Sequence, residues 1–159
     1  MYILTVHTDG ASKKGKVAGS GACATFNAGE DSCSTTVEAQ WTRHLPSATN
    51  NEAEYDGLLL ALEKLPHFIS QLEIPEQMKR TMLRVLICMD SKLVVQQVNG
   101  FWTCKAVHLQ PLLLRARERL AALQKDVQRV DIVWISRKEN KVADKLANDA
   151  CLQPSPASK

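Results

Sequence analysis

The strongest constraint on the fold is a pair of mostly apolar runs that each end in an aspartate. Residues 2–8 lead directly into Asp9, and residues 82–89 lead directly into Asp90. Runs of this length without a clear polar face are typical of strands in a sheet that is covered on both sides. In open α/β sheets, functional sites lie beyond the carboxyl ends of such strands. We therefore expect the two aspartates on neighbouring strands, at the same edge of one sheet.

Two further strands are predicted before the first helix. They cover residues 21–26 and 32–43, and the second alternates polar and apolar residues as an edge strand does. Residues 10–20 are predicted to form a turn and residues 27–31 a hairpin connection, because both are rich in small and polar residues.

Helical spacing dominates the chain after residue 49. The predicted elements are a helix from 50 to 65, a helix extension and surface loop over 66–81, a strand at 82–89, a short helix at 91–98, the longest helix at 108–127, a strand at 130–135 and a last helix at 140–150. This order predicts an α/β fold whose mixed five-stranded sheet has three antiparallel hairpin strands, then parallel strands, with helices on both faces. We expect a single domain over residues 1–152 and a flexible tail over 153–159.

Composition narrows the class of protein. The chain has 159 residues, 45% of them hydrophobic and 23% charged, which is typical of one soluble globular domain. A net charge of +3 permits nucleic-acid binding without demanding it. No apolar run is long enough to cross a bilayer, and the N-terminus lacks the pattern of a secretory leader. The five cysteines show no metal-ligand spacing, so reduced thiols in a cytoplasmic or nuclear compartment are expected.

Two more acidic residues are predicted to join the aspartates. Glu54 shares a helical face with the leucines that pack the first helix on the sheet, and Asp144 lies one turn into the last helix. Each acid alone is more typical of a turn, a cap or a solvated helix surface. Their joint occurrence favours a metal site, because four converging carboxylates cannot all stay ionised without a cation. Oxygen ligands select Mg²⁺ or Mn²⁺, and two such ions can bracket a phosphodiester.

Four motifs carry a resemblance to a known family. Residues 7–12, 49–54, 89–95 and 140–144 resemble the motifs of type 1 ribonuclease H, in the same order and over nearly the whole chain. Residues 97–100 with Lys105, and residues 135–140, are most similar to its archaeal and reverse-transcriptase-like branch. The resemblance implies cleavage of the RNA strand of RNA–DNA hybrids with two Mg²⁺ ions, for which Mn²⁺ can substitute, leaving 5′-phosphate and 3′-hydroxyl ends. It also implies that Asp9, Glu54, Asp90 and Asp144 are the catalytic, metal-binding acids.

The resemblance also implies substrate contacts. They are expected from Gly10, Ala11, Ser12, Thr49, Asn50, Asn51, Ser91, Trp102 and Lys105. Helix capping is the alternative for residues 49–51, a rim or core position for Trp102, and simple solvation for Lys105. The expected partner is an RNA–DNA hybrid, with double-stranded RNA as a second candidate, no membrane, and a monomeric protein.

Two features differ from many members of that family. None of the four histidines lies in residues 136–143, where many members have a mobile histidine, so Arg137 is the candidate for an auxiliary role. The segment after Asn99 is shorter than the basic protrusion of many members, which predicts weaker hybrid binding with a steep salt dependence. His7 is predicted to be an interior histidine, and Trp41 and Trp134 to be core residues.

Two other functions remain as alternatives. The first is a catalytically weak or inactive nucleic-acid-binding domain of the same fold, within a larger polyprotein. Loss of one of the acids would favour it, and all four are present. The second is polynucleotidyl transfer or 3′-exonuclease chemistry. The start of the first helix at residues 50–54, paired with Asp90-Ser91, argues against it.

Overall fold

The computed structural model describes residues 1–13, 17–28 and 35–152. Within these ranges, three strands come first, and a pair of helices then precedes each of the two remaining strands. The elements are β1 (Tyr2–Lys13), β2 (Val17–Ala28), β3 (Thr35–Leu45), α1 (Asn50–Ser70), α2 (Glu76–Met82), β4 (Leu83–Met89), α3 (Lys92–Val98), α4 (Gln110–Gln124), β5 (Arg129–Trp134), a 3₁₀ turn (Arg137–Glu139) and α5 (Lys141–Leu152).

The five strands form one mixed sheet in the order β3-β2-β1-β4-β5. The pairs β1/β2 and β2/β3 are antiparallel, whereas β1/β4 and β4/β5 are parallel. The predicted sheet is therefore confirmed, with β3 at an edge. The central strand β1 lies beside β4, and this pairing brings the ends of the two apolar runs together.

Helices cover both faces of the sheet. Leu58, Leu62 and Leu65 of α1 are buried against one face, in the main hydrophobic core. Each buried leucine contributes on the order of 1.5–3 kcal/mol. Helix α5 packs on the opposite face through Ala143 and Ala147, which are fully buried. The catalytic candidates at the strand ends thus lie between two firmly packed helices.

The predicted turn at residues 10–20 is wrong over most of its length. β1 continues to Lys13, and β2 begins at Val17, because the antiparallel ladder runs on to the pair Lys13↔Val17. Residues 14–16 lie outside the described residues. Part of the predicted connection at 27–31 also belongs to β2, which ends at Ala28, and residues 29–34 and 153–159 lie outside the described ranges.

The helix extension predicted within residues 66–81 is confirmed, but the surface loop is limited to residues 71–75. α1 continues through Pro66 to Ser70, because burial of Phe68 and Ile69 offsets the N–H that the proline lacks. Leu72 and Ile74 then enter the core, and α2 follows them. The alternation of proline and polar residues in this segment concealed its buried apolar positions.

α4 is shorter than predicted. It has 15 residues, whereas α1, with 21, is the longest helix described. Ala116 and Leu123 are buried as expected, and the exposed arginines lie on the outer face. Of the cysteines described, Cys88 and Cys151 are buried and Cys23 and Cys104 are partly buried, all as free thiols. Among the described residues, no helix is long and apolar enough to span a membrane.

Candidate active site

Three carboxylates converge where β1 passes the end of β4. Asp9, Glu54 and Asp90 each place a carboxylate oxygen within 4.8 Å of the other two. Asp9 is 4% exposed, whereas Glu54 and Asp90 are partly buried. Three acidic side chains at this spacing form the ligand set that hard divalent cations prefer.

Parallel pairing explains how the two aspartates meet. Thr8 on β1 is in register with Met89 on β4, so the next residue of each strand lies at the same edge of the sheet. The end of β4 is also anchored from β5, because the indole Nε1 of Trp134 donates to the carbonyl oxygen of Asp90 at 3.1 Å. Trp134 is 52% exposed, so its predicted core position is wrong and it lies at the rim of the site.

Helix α1 brings Glu54 to the aspartates. Its start is fixed by a capping box, in which the Thr49 hydroxyl accepts from the Glu52 N–H at 3.2 Å and the Glu52 carboxylate accepts from the Thr49 N–H at 3.0 Å. Close packing on β1 requires glycine at Gly57, where an added Cβ would lie 2.5 Å from the carbonyl oxygen of Asp9. The helix therefore rests directly on the backbone beside Asp9.

Burial and the charges of neighbouring acids raise the pKa values of two of the acids. Burial, and then the charge of Asp90, raise the pKa of Asp9 to about 7, although the Gly10 N–H donates to its Oδ1 at 2.9 Å. Burial, with the charges of Asp9 and Asp90, raises the pKa of Glu54 to about 10. The Glu54 Oε2 is buried without a hydrogen-bond partner in the described chain. An orphaned buried oxygen within an anionic cluster fits a bound divalent cation.

The fourth predicted acid, Asp144, lies at the rim of this cluster. It is exposed on α5, and it is not one of the three residues within 4.8 Å of one another. Asp144 nevertheless contributes to the raised pKa of Asp9, so the two carboxyl groups are close. The Asn148 amide holds Asp144 by donating to its Oδ1 at 3.2 Å.

Glycines on β2 set the position of α5, and with it Asp144. A Cβ on Gly21 would lie 2.6 Å from the Cβ of Leu146, and one on Gly19 would lie 2.6 Å from the carbonyl oxygen of Ala147. The absence of side chains at these two positions lets the helix approach the sheet closely.

Some of the predicted substrate residues next to the acids form hydrogen bonds within the protein, and others are exposed. The Ser12 hydroxyl donates to the carbonyl oxygen of Ala48 at 2.6 Å, and Ser91 caps α3 by accepting from the Val94 N–H at 3.3 Å. The capping alternative is confirmed for Thr49, whereas Asn50 and Asn51 are exposed at the start of α1.

The remaining candidates lie further along the chain. The Ala11 carbonyl accepts from the Cys151 thiol at 3.5 Å. Trp102 is 45% exposed, and Lys105 is exposed in the same segment after α3, so neither is a core residue. Arg137 is exposed in the 3₁₀ turn before α5. His7 is half-buried, and burial lowers its pKa, in accord with an interior position.

Asn140 belongs to the fourth motif, but the sequence predicted no site role for it. Its side chain is 1% exposed, and its Nδ2 donates to the Thr8 carbonyl oxygen at 3.0 Å and to Asp90 Oδ2 at 3.4 Å. An asparagine directly before a helix is usually read as a cap, and only the strand packing reveals its contact with the acids.

The mixed sheet, its strand order and the acids on β1 and just after β4 define a ribonuclease H-like fold. Residues 7–150 match the reverse transcriptase-like family, and the chain belongs to this family.

Similar proteins include both curated sequences and solved structures. A bifunctional protein of Mycobacterium tuberculosis is 35% identical over 116 residues, which is 73% of this chain and 28% of that protein. The solved N-terminal RNase H domain of that protein is 30% identical, with a TM-score of 0.66 over 95% of this chain and 94% of that one. The chain thus spans about 28% of the length of the bifunctional protein.

Two further relatives carry ribonuclease H names. Ribonuclease HI of Halobacterium salinarum is 35% identical over 104 residues, which is 65% of this chain and 44% of that protein. LC11-RNase H1, isolated from compost, was solved in complex with an RNA/DNA hybrid. It is 27% identical, with a TM-score of 0.70 over 93% of this chain and 96% of that one.

Proposed function

We propose that this chain is a metal-dependent ribonuclease H that cleaves the RNA strand of RNA–DNA hybrids and leaves 5′-phosphate and 3′-hydroxyl ends. The observation that carries the proposal is the group of Asp9, Glu54 and Asp90 within 4.8 Å of one another. Relatives named as ribonucleases H support the same activity.

The four acids are proposed to hold the metal. Asp9, Glu54 and Asp90 supply the central ligands, and Asp144 supplies one from the rim. Two Mg²⁺ ions, or Mn²⁺ in their place, would activate the attacking water and stabilise the leaving 3′-oxygen when bound. The chain holds these acids on well-packed elements, because β1, β4 and α1 all contribute buried residues to the main hydrophobic core.

Recognition of RNA is proposed for residues at the start of α1 and in β1. An enzyme that distinguishes RNA from DNA must contact the 2′-hydroxyl group. The exposed amides of Asn50 and Asn51 lie four and three residues before Glu54, so they can reach a ribose whose phosphate is at the metal site. Further contacts are proposed for the backbone of Gly10 and Ala11 and for Ser12, Thr49 and Ser91.

The DNA strand is proposed to lie against the segment after α3. Trp102 presents an exposed ring that can pack on a deoxyribose, and Lys105 can contact a phosphate. LC11-RNase H1, whose fold this chain shares, was solved with a hybrid bound. An auxiliary role in turnover is proposed for Arg137, because its exposed guanidinium lies in the turn that leads into α5.

A second function is that of one domain within a larger nucleic-acid-processing protein, active or inactive. The observation that favours a larger protein is the length of a relative, because the matched region is only 28% of the bifunctional protein of M. tuberculosis. Retention of all four acids favours an active domain over an inactive one.

The experiment that tests the proposal compares three labelled duplexes of one sequence: an RNA–DNA hybrid, double-stranded RNA and double-stranded DNA. We expect Mg²⁺-dependent cuts in the RNA strand of the hybrid and none in double-stranded DNA. Cleavage of double-stranded RNA would add it as a second substrate. Ligation of the products by an enzyme that requires 5′-phosphate and 3′-hydroxyl ends checks the chemistry. If the protein cuts the hybrid neither with Mg²⁺ nor with Mn²⁺, ribonuclease H activity is ruled out, and an inactive nucleic-acid-binding domain is the function that remains.

A further inference from the structure

Asn140 connects three of the segments that carry the acids. Its Nδ2 lies 3.0 Å from the carbonyl oxygen of Thr8, next to Asp9, and 3.4 Å from Oδ2 of Asp90. Its own carbonyl oxygen accepts from the N–H of Asp144 at 3.0 Å. One residue thus contacts the middle of β1, the residue that follows β4 and the first turn of α5.

The orientation of the Asn140 amide is determined by its neighbours. The Thr8 carbonyl and the Asp90 carboxylate are both acceptors, so only the NH₂ group can face them. The opposite atom, Oδ1, is buried and has no hydrogen-bond partner within the described residues. The amide is thus buried with only its NH₂ group bonded, and an apolar side chain at this position would leave the Thr8 carbonyl and the Asp90 carboxylate without that donor.

Helix capping does not account for the side chain. A capping asparagine accepts, through Oδ1, from a backbone N–H in the first turn of the helix. Oδ1 of Asn140 makes no such bond in the described chain, and the contact with Asp144 uses the backbone carbonyl, which any residue would supply. The side chain therefore forms hydrogen bonds with Thr8 and Asp90 and does not cap α5.

We propose that Asn140 is a positioning residue of the metal site. Its amide ties one oxygen of Asp90 to the backbone of β1 and so orients the carboxylate towards Asp9 and Glu54. Hydrogen bonds of this kind to ligating carboxylates are typically worth 10–100-fold in metal affinity. The inference rests on the proposed function, because it concerns the site at which that activity would occur.

Binding of Mn²⁺ to the protein without nucleic acid tests this role. The variants are Asn140→Leu, which keeps the volume, and Asn140→Ala. Asn99→Leu is the matched control, because the Asn99 Nδ2 also donates to a strand carbonyl, that of Ile132 at 3.0 Å, and has no contact with the acids. The free Mn²⁺ signal in electron paramagnetic resonance gives the affinity, and the thermal midpoint in chelator gives the stability of the metal-free fold.

We expect Mn²⁺ to bind on the order of 10–100-fold more weakly to both Asn140 variants and within about twofold of wild type to Asn99→Leu. In chelator, Asn140→Leu should fold but melt below the wild-type midpoint, because the buried Thr8 carbonyl loses its donor. Mn²⁺ affinity within about twofold of wild type in both Asn140 variants would overturn the inference, and so would failure of both to fold, since Asn140 would then support the fold itself. A wild-type protein that binds Mn²⁺ but cuts no hybrid would overturn the proposed function alone.

Discussion

A Cβ built on Gly10 would lie 2.1 Å from the carbonyl carbon and oxygen of Ala53 and 2.4 Å from the backbone nitrogen of Glu54. No side chain fits in that space, because the close atoms belong to the backbone of α1. The residue after one candidate ligand, Asp9, is thus in direct contact with the peptide group that leads to another, Glu54. Glycine at this position sets the distance between the two carboxylates.

Gly10→Ala should move the first turn of α1 away from β1 and impair the metal site. Overpacking of this kind costs roughly 1–3 kcal/mol of unfolding free energy, and the backbone clash places this variant towards the upper end. We also expect weaker Mn²⁺ binding, measured as a displaced titration midpoint.

Gly100→Ala is the control for this substitution. Gly100 has φ +84° and no atom within 4 Å of an added Cβ, so alanine there costs roughly 1–2 kcal/mol from conformation alone. Mn²⁺ binding should be unchanged in Gly100→Ala. Equal Mn²⁺ affinity in both alanine variants would show that the contact between Gly10 and Ala53 does not position Glu54.

The stability of the metal-free protein should fall as the pH rises. The pKa of Asp9 rises from 3.8 to about 7 and that of Glu54 from 4.5 to about 10 in the folded protein. Between these values the folded state binds more protons than the unfolded state, so raising the pH favours unfolding. We expect the thermal midpoint in chelator to fall from pH 5 to pH 8, and added Mg²⁺ to stabilise most at the higher pH.

Glu54→Gln tests the origin of this slope. Glutamine carries no charge, so at pH 8 the metal-free variant should exceed wild type by at least ~1 kcal/mol, or about 2–4 °C in thermal midpoint. Glu118→Gln, at an exposed position on α4, controls for loss of a negative charge. A slope in Glu54→Gln that matches the wild-type slope would show that Glu54 does not titrate with folding.

Trp102→Ala should weaken binding of the hybrid without slowing the chemical step. Contacts between an aromatic ring and nucleic acid are worth roughly 1–3 kcal/mol, so we expect KM to rise about fivefold or more and kcat to stay within about twofold. Leu114→Ala removes another exposed apolar side chain, 60% exposed on α4, and should leave both constants unchanged. Unchanged KM in Trp102→Ala would remove Trp102 from the proposed hybrid-binding surface.

Arg137→Ala should lower kcat about two- to tenfold if the arginine assists turnover. Lys138 is the matched control, because it is the next residue in the same 3₁₀ turn and is also exposed and basic. Lys138→Ala should alter mainly the salt dependence of KM. Equal effects of the two substitutions on kcat would mean that Arg137 contributes only general positive charge.

The sequence alone predicted the parts of the fold that depend on simple periodicity. The apolar runs before Asp9 and Asp90 placed both residues at one sheet edge, because such runs form buried parallel strands whose carboxyl ends lie on the same side of the sheet. The alternation in β3 likewise predicted an edge strand. Glu54 followed from the leucine stripe of α1, since a residue one turn before that stripe shares its face.

Features that depend on packing between distant segments could not be predicted. Pro66 is a helix breaker by local rules, and only burial of Phe68 and Ile69 explains why α1 continues past it. The side-chain bonds of Asn140 cross 132 residues to reach Thr8 and 50 to reach Asp90. The rim position of Asp144 is set by the close approach of α5 to glycines of β2. Hydrophobic periodicity within one segment does not predict such a contact between two segments.

The central claim is that Asp90 is a metal ligand of a hybrid-cleaving enzyme. The most direct measurement compares wild type with Asp90→Asn for Mg²⁺-dependent cleavage and for binding of the same labelled hybrid. We expect the variant to cleave at least about 100-fold more slowly while binding the hybrid within about threefold of wild type, because the amide keeps the shape of the side chain but removes its charge. Near-normal cleavage by Asp90→Asn would show that Asp90 is not a metal ligand in the reaction.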